Sequence, residues 1–450
     1  SHDGIMVLPA ETAVGTPAAE YFQIEKDYIF EVGLTPNRSD ATSHLGVAKD
    51  LAAALKINYD FTSGVNVPKV EGFKVENNNL PVEIVVEDAK LCPRYAGVSI
   101  QGVKIQESPD WLKKRLLSIG ITPKNNVVDI TNFILHELGQ PLHAFDLRDI
   151  KGNKVIVKTL AADTKFTTLD EVERKLRATD LMICDGDSNG MCIAGVFGGT
   201  QSGVKDDTTD IFLESAHFNA ISVRRTSTRH NLRTDAARCF EKGSDPNISL
   251  YALKRAALLI QEYAGGTIAS EVIDLYPNPV QKNEIDIKFS HVNRLIGADL
   301  SKEETKNILE VMDIEILSEK DDDFRVSIPT NKVDVTRQAD VIEEVLRIYG
   351  LNRVPIPTKV KASLTYGQKP DPFKIRNIAG DWLAANGFNE MMGVSITESR
   401  YFKEIFPIEE SCLIYINNTS NVHLDVMRPM MLFSGLKAIL HNQNRQNADL

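Results

Sequence analysis

The chain has 450 residues, 42% of them hydrophobic and 25% charged, with 51 Lys and Arg against 62 Asp and Glu for a formal charge of −11. That length fits about three domains rather than one core, and the balance is that of a globular protein, which sets aside a disordered chain. No run of about 18 apolar residues occurs, and the start SHDGIMVLPAE has neither a basic nor an apolar leader pattern, so a membrane span and a secretory signal are set aside and a cytoplasmic protein is expected.

In chain order, DYIFEVGL predicts a strand, TPNRSD a loop, and the alanine-rich stretch from about Ala41 to Leu55 a helix capped by Ser39 or Asp40. Asn77-Asn78-Asn79 marks a linker. VEIVVED and RYAGVSIQGVKI alternate like strands of a mixed sheet. Ser108 as cap, Pro109 at the first turn and Gly120 past the end frame a helix, and a second runs through ITNFILHEL to Gly139. Strand KVIVKTL, the hairpin LMICDGDSNGMCIAGVFGG and an amphipathic helix ISLYALKRAALLIQEYAGG follow.

After NPVQKN, Ser301 and Glu304 make a capping box for KEETKNILEVMDI, then come strand FRVSIPT and helix ADVIEEVLRIYG ended by Gly350. Helix, strand and helix in so short a stretch suggest a winged-helix-like module. PIPTKVKASLTYGQKPDPF is a proline-marked linker; a helix FKIRNIAGDWLAANG, a strand FNEMMGVSI and a helix LFSGLKAILHNQ complete the chain. Both ends read as cut from a longer protein.

Cys92, Cys184, Cys192, Cys239 and Cys412 are odd in number and lack C-x-x-C spacing, so buried free thiols are expected rather than a disulfide framework or a zinc site. HELGQ from His136 opens like a zincin motif, but Gln140 stands where the second histidine belongs. Asp185-x-Asp187-x-Asn189-Gly190 opens like a calcium loop, yet its twelfth position is Val196, and a polar hairpin turn explains it better. No P-loop, dinucleotide fingerprint or nucleophile elbow occurs. The stretch RRTSTRHNLRTDAARCFEK carries six Lys and Arg against Asp235 and Glu241, and is either a solvated helix face or a local phosphate contact on an acidic body.

Two constellations carry chemistry. Thr131, Asn132 and His143 in NNVVDITNFILHELGQPLHAFD, with Glu214 in IFLESAHF, place polar groups among apolar neighbours. His143 alone reads as a satisfied core histidine, but an unpaired carboxylate on a buried strand is expensive unless it serves recognition. Asp340, Glu343 and Glu344 at i, i+3 and i+4, with Asp334 before them, crowd one helical face; they read either as a magnesium site or as a solvated face with Glu343 paired to Arg347.

Five stretches, LTPNRSDATSHLGVAKDLAA, PRYAGVSIQGV, VVDITNFILHELGQPLHAFD, LRTDAARCFEKGSDP and VDVTRQADVIEEVLRIYG, make the chain similar to the β subunits of bacterial phenylalanyl-tRNA synthetases, in the family's order and over nearly the whole chain. The resemblance implies an α+β multidomain fold: a partial N-terminal domain over 1–80, a mixed-sheet editing domain over 82–275, a small winged-helix-like domain over 283–358, and the start of a class II synthetase-like module over 367–450. It implies an (αβ)₂ ligase in which the α subunit, using ATP, charges tRNA(Phe), and β hydrolyses tyrosine mistakenly esterified to that tRNA. Glu214 would accept the tyrosine phenol, His143 would orient substrate or water, and Thr131, Asn132, Gly195, Thr234 and Ala236 would surround the amino acid and terminal adenosine. Asp334, Asp340, Glu343 and Glu344 match the family's Mg2+ ligands. A non-catalytic tRNA-binding scaffold is the alternative, and a free-standing metal hydrolase using the acidic cluster is a third.

Overall fold

The computed structural model describes residues 6–22, 27–59, 61–359, 362–363 and 370–447. The chain divides between Ile356 and Pro357 into two compact units.

The first unit opens with a single turn, α1 (Ala18–Tyr21). Residues 27–34, expected as a strand, run unpaired with Tyr28, Ile29 and Phe30 exposed. Alternation alone does not make a strand, because its backbone groups need a neighbouring edge to pair with. The helix α2 (His44–Tyr59) begins later than expected. Ser39 and Asp40 lie in a short 3₁₀ turn, and the capping role falls to Ser43, whose Oγ accepts the Gly46 N–H at 3.1 Å.

Next come β1 (Glu83–Val86), β2 (Arg94–Gln101), α3 (Asp110–Ser118), α4 (Asn126–Leu138), β3 (Leu142–Asp146), β4 (Lys154–Thr159), β5 (Lys165–Thr167), β6 (Glu173–Lys175), β7 (Leu181–Cys184), β8 (Gly190–Ile193), β9 (Phe197–Gly198), β10 (Asp210–His217), α5 (Ala220–His230), α6 (Asp235–Glu241), α7 (Ser249–Ala264), β11 (Thr267–Ile268) and β12 (Ile273–Leu275). They form three layers. One sheet has the order β1-β4-β7-β8-β9; the other has the order β11-β2-β10-β3, with β12 also on β2. Because strand side chains alternate, β10 gives Phe212 and Ala216 to the core between the sheets and Ile211 and Leu213 to the core under α3, α4 and α7. Asn125 caps α4 by accepting the Val128 N–H, and Gly139 ends it with φ 75°. Ser108 does not cap α3: its hydroxyl donates to the buried Asp129 carboxylate at 2.5 Å, a stronger partner than the helix amides, and Pro109 takes the cap position.

The unit continues with β13 (Asn283–Lys288), α8 (Phe289–Ile296), α9 (Lys302–Val311), β14 (Glu315–Lys320), β15 (Asp323–Ile328) and α10 (Gln338–Tyr349). The strands form an antiparallel sheet of order β13-β15-β14. The helix-strand-helix reading thus gains α8 and the strands β13 and β14, whose charged sequences hide their pairing. Ser301 accepts the Glu304 N–H at 3.1 Å and caps α9, supplying one half of the expected box. Ala53 of α2 is buried in this third core, so the N-terminal helix packs on the small module.

In the second unit, α11 (Pro372–Ala385) is exposed along its length, and β16 (Ile396–Thr397), β17 (Val426–Met427) and α12 (Leu432–Gln443) lie about a small core of Phe402, Leu413, Val426 and Phe433. Of the strand expected over FNEMMGVSI, only Ile396 pairs, while Met392 and Val394 stay exposed. Much of the expected linker, at residues 360–361 and 364–369, lies outside the described residues.

Candidate active site

The two sheets part at one end to leave a cleft of about 380 Å³. Every residue expected around a bound ester lines it: Thr131 and Asn132 from α4, His143 from β3, Gly195 from the turn between β8 and β9, Glu214 from β10, and Thr234 and Ala236 at the start of α6. Residues far apart in the sequence meet here because β10 lies beside β3 with Glu214 opposite His143.

Glu214 is only 5% exposed, and burial pushes its carboxyl up to about 8. Among the described residues no cation or hydrogen-bond donor counters that shift, so the group is held without a partner of its own. Burial likewise holds His143 down at about 4. Its Nε2 is buried without a hydrogen bond, lying against Gly198, and its ring meets Phe145 edge-on at 4.4 Å. An unsatisfied buried polar atom such as His143 Nε2 costs about 1–3 kcal/mol, and with the desolvated carboxyl of Glu214 beside it the cleft suits a ligand that completes both.

The other groups are already committed. Thr131 Oγ donates to Val128 O at 2.7 Å, and Thr234 Oγ donates to Val196 O at 2.7 Å while accepting the Ala237 N–H. These bonds fix the walls. Gly195 has φ 67°, and a Cβ there would stand 2.8 Å from Phe218 and 3.0 Å from Phe240, so the turn needs glycine for both reasons. Sequence reading missed Cys192, Leu169, Gly198, Phe218, Phe240 and Lys124, which also line the cleft. The signal for two of them is the hairpin register, which places Cys192 opposite Gly198.

A second hollow, about 350 Å³, is lined by Asp334, Asp340, Glu343 and Glu344 together with Arg38, Asp40, Lys332 and Arg337. Asp340 caps α10, accepting the Arg337 N–H at 2.9 Å and pairing with that guanidinium. Glu344 is buried between Lys332 (2.5 Å) and Arg347 (2.7 Å). Arg347 therefore does not pair with Glu343; it faces inward, to Glu344 and Asp50, while Glu343 is exposed. Among the described residues no three acidic, His or Cys side chains converge as the ligands of one cation. Asp334 and Glu343 remain as exposed carboxylates at the hollow's edge.

Behind the hollow the charges close into a ring. Arg38 bonds Asp40 (2.9 Å), Asp40 bonds Lys332 (3.1 Å), Lys332 bonds Glu344, Glu344 bonds Arg347, Arg347 bonds Asp50 (2.9 Å), and Asp50 returns to Arg38. Burial alone would pull Asp40 up, but the bond from Arg38 and the charge of Lys332 outweigh it and hold Asp40 below its ordinary value.

The rejected motifs have structural uses. Gln140 donates to Ala216 O at 2.7 Å and Pro141 O at 3.0 Å, tying the end of α4 to β10. Asp185 accepts from the Asp187 and Asn189 backbone, as a hairpin turn requires. Four cysteines are buried and free, but Cys412 is exposed. Among the described residues no helix is long and apolar enough to cross a membrane.

Three family models match the chain in succession: the B3/4 domain over residues 91–265, the tRNA synthetase B5 domain over 285–351, and the phenylalanyl tRNA synthetase beta chain CLM domain over 356–450. The chain is 48% identical over 450 residues to the phenylalanine–tRNA ligase beta subunit of Bacteroides thetaiotaomicron, covering 100% of this chain and 55% of that protein. The beta subunits of Porphyromonas gingivalis and Fusobacterium nucleatum are 46% and 37% identical, again over 100% of this chain and 55% of theirs. This chain thus spans about half the length of the curated relatives it matches. A solved N-terminal fragment of the phenylalanyl-tRNA synthetase beta subunit from Pyrococcus horikoshii aligns at 19% identity with a TM-score of 0.36, over 70% of this chain and 84% of that one, a likeness too distant to carry an argument. The matches over three consecutive domains and the identities along the whole chain lead to one conclusion: this chain belongs to the phenylalanine–tRNA ligase β-subunit family.

Proposed function

We propose that the cleft between the two sheets is an editing site that hydrolyses tyrosine esterified to tRNA(Phe). The observation that carries this reading is the buried, unpartnered Glu214 beside the buried, unpartnered His143. Tyrosine exceeds phenylalanine by one hydroxyl. A phenol reaching Glu214 would donate to its carboxyl and favour the ionised form, whereas phenylalanine would leave the group desolvated and unpaired, and sites built this way discriminate strongly.

The hydroxyls of Thr131 and Thr234 are committed to backbone carbonyls and burial keeps the Cys192 thiol protonated, so water attacks the ester carbonyl carbon. The bond to the ribose oxygen breaks, and the proton lost by water ends on that oxygen. His143, neutral near pH 7, would orient substrate or water, and backbone amides near Gly195, which lines the cleft, would stabilise the developing oxyanion. Thr131, Asn132, Thr234 and Ala236 frame the amino acid and terminal adenosine.

In the same proposal, aminoacylation with ATP belongs to an α subunit, the two assembling as (αβ)₂ in the cytoplasm. Residues 283–358 act as a winged-helix-like module, and residues from 367 onward begin a class II synthetase-like fold. A magnesium ion, which keeps several waters and needs only one or two carboxylates, would be held at the acidic hollow by Asp334 and Glu343, with Asp340 and Glu344 behind them.

The test is deacylation of Tyr-tRNA and Phe-tRNA by this chain and by Glu214→Ala. Tyrosine-selective hydrolysis that the substitution weakens supports the site; a rate equal for both esters and indifferent to the substitution sinks it, and binding without any turnover favours an assembly scaffold.

A further inference from the structure

One buried hydroxyl has no place in the hydrolysis described above. Tyr95 of β2 is fully buried, and its Oη has no hydrogen-bond partner among the described residues. A buried tyrosine ordinarily finds a partner for its O–H, because leaving the bond unmade costs stability.

Its place in the ladder is specific. β2 runs antiparallel to β10, with Tyr95 opposite Ala216 and Gly97 opposite Glu214. Tyr95 packs with Phe212 and Ala216 in the core between the sheets, and Glu214, midway between those two along β10, shares their face. Tyr95 and Glu214 are therefore diagonal neighbours, which stand about 7–8 Å apart, within reach of an aromatic ring and a long side chain. Glu214 lines the cleft and Tyr95 does not, so the ring approaches the carboxyl from the core rather than from the side a substrate enters.

The other groups around this carboxyl are engaged or turned elsewhere. The buried thiols of Cys92 and Cys192 also feel its charge, but Cys92 Sγ donates to Arg94 O at 3.5 Å and Cys192 Sγ to Phe197 O at 3.4 Å. His143, opposite on β3, lines the cleft. Burial, and after it the charge of Glu214, push the Tyr95 phenol up, so it keeps its proton and remains a donor near pH 7. A carboxylate has two oxygens, and each accepts more strongly once the group is ionised.

We propose that Tyr95 is a positioning residue for Glu214: when a substrate phenol donates to one carboxylate oxygen from the cleft, and the carboxyl proton passes to solvent, Tyr95 Oη donates to the other oxygen from the core. This rests on the editing reading. Phenylalanine does not ionise Glu214 and so does not recruit the core hydroxyl, which sharpens the choice between the two amino acids without touching either.

Tyr95→Phe deletes that hydroxyl alone. It should raise KM for Tyr-tRNA about tenfold, the scale of one hydrogen bond to a charged group, while kcat, hydrolysis of Phe-tRNA and unfolding in urea stay as in the parent. In a Glu214→Gln background the same substitution should change nothing further. An unchanged KM, or a rise that persists in the Glu214→Gln background, overturns the proposal. If the parent hydrolyses no Tyr-tRNA, the editing reading has failed; carbon-13 NMR titration of the Glu214 carboxyl in the free chain then decides the contact separately, a midpoint raised by about one pH unit in Tyr95→Phe supporting it and an unchanged midpoint refuting it.

Discussion

Glu214 stands directly opposite His143 in the antiparallel ladder of β10 and β3, yet the two do not neutralise each other. The carboxyl is pushed up to about 8 and the imidazole held down at about 4, each by burial, so both are mainly uncharged near pH 7. A phenol donating to Glu214 favours its ionised form. Binding of a tyrosine ester analogue near pH 7 should therefore release a proton, approaching one per site. Calorimetry in buffers of different ionisation enthalpy reads this directly, and a binding heat independent of buffer contradicts it.

The same carboxyl has a stability signature. Its value rises from 4.5 in the unfolded chain to about 8 in the fold. Between those values the unfolded chain ionises while the folded chain keeps its proton, so the stability present below pH 4.5 is lost progressively as pH climbs to 8. Glu214→Gln removes this loss. The variant should match the parent near pH 4 and exceed it at pH 8 by a few kcal/mol in urea titrations, on the order of what a multi-unit shift implies. It should also lose roughly 10- to 100-fold in tyrosine-ester hydrolysis, as one charge-assisted hydrogen bond is worth.

Two glycines separate stability from chemistry. Gly195→Ala forces a side chain into positive φ and against Phe218 and Phe240, and should cost about 1–3 kcal/mol in thermal or denaturant unfolding. At Gly198, a Cβ would stand 3.0 Å from Leu169 and 3.2 Å from His143, which can turn aside. Gly198→Ala should unfold nearly as the parent does but hydrolyse roughly 100-fold more slowly, the scale of a misplacement near 1 Å. An unaffected rate would remove His143 from the mechanism.

Lys332→Met leaves Asp40 and Glu344 facing each other without the ammonium between them. Removing one partner from a buried ionic group typically costs about 3–5 kcal/mol, and limited proteolysis should then cut near α2 first, since Arg38 and Asp50 belong to the same network. Equal proteolytic resistance in parent and variant would show that apolar packing around Ala53 suffices.

Much of this was legible in the residues. Helix ends with a sterically determined signal, such as Gly139 and Ser301, fell where expected. The polar residues Thr131, Asn132, His143 and Glu214 stood out because their flanks are apolar, and the cleft gathers them. What escaped was set by partners distant in sequence. Ser108 looks like a cap until Asp129 claims its hydroxyl, the stretch around Ile29 looks like a strand until no edge meets it, and Glu343 looks like the mate of Arg347 until the fold turns that guanidinium toward Asp50. Cys192, Leu169 and Gly198 enter the cleft through hairpin register, which local pattern does not specify.

The charge ring of Arg38, Asp40, Lys332, Glu344, Arg347 and Asp50 has no first or last member. Breaking any one link still leaves all six residues threaded on an open string, so thermal fluctuation at a single ion pair does not free the N-terminal helix. Replacing any one residue, by contrast, severs two links and strands two neighbours of like sign. The arrangement is thus tolerant of motion and intolerant of single substitution: a viable route from this sequence to one with an apolar seam would have to exchange adjacent opposite charges, such as Asp40 with Lys332, in the same step.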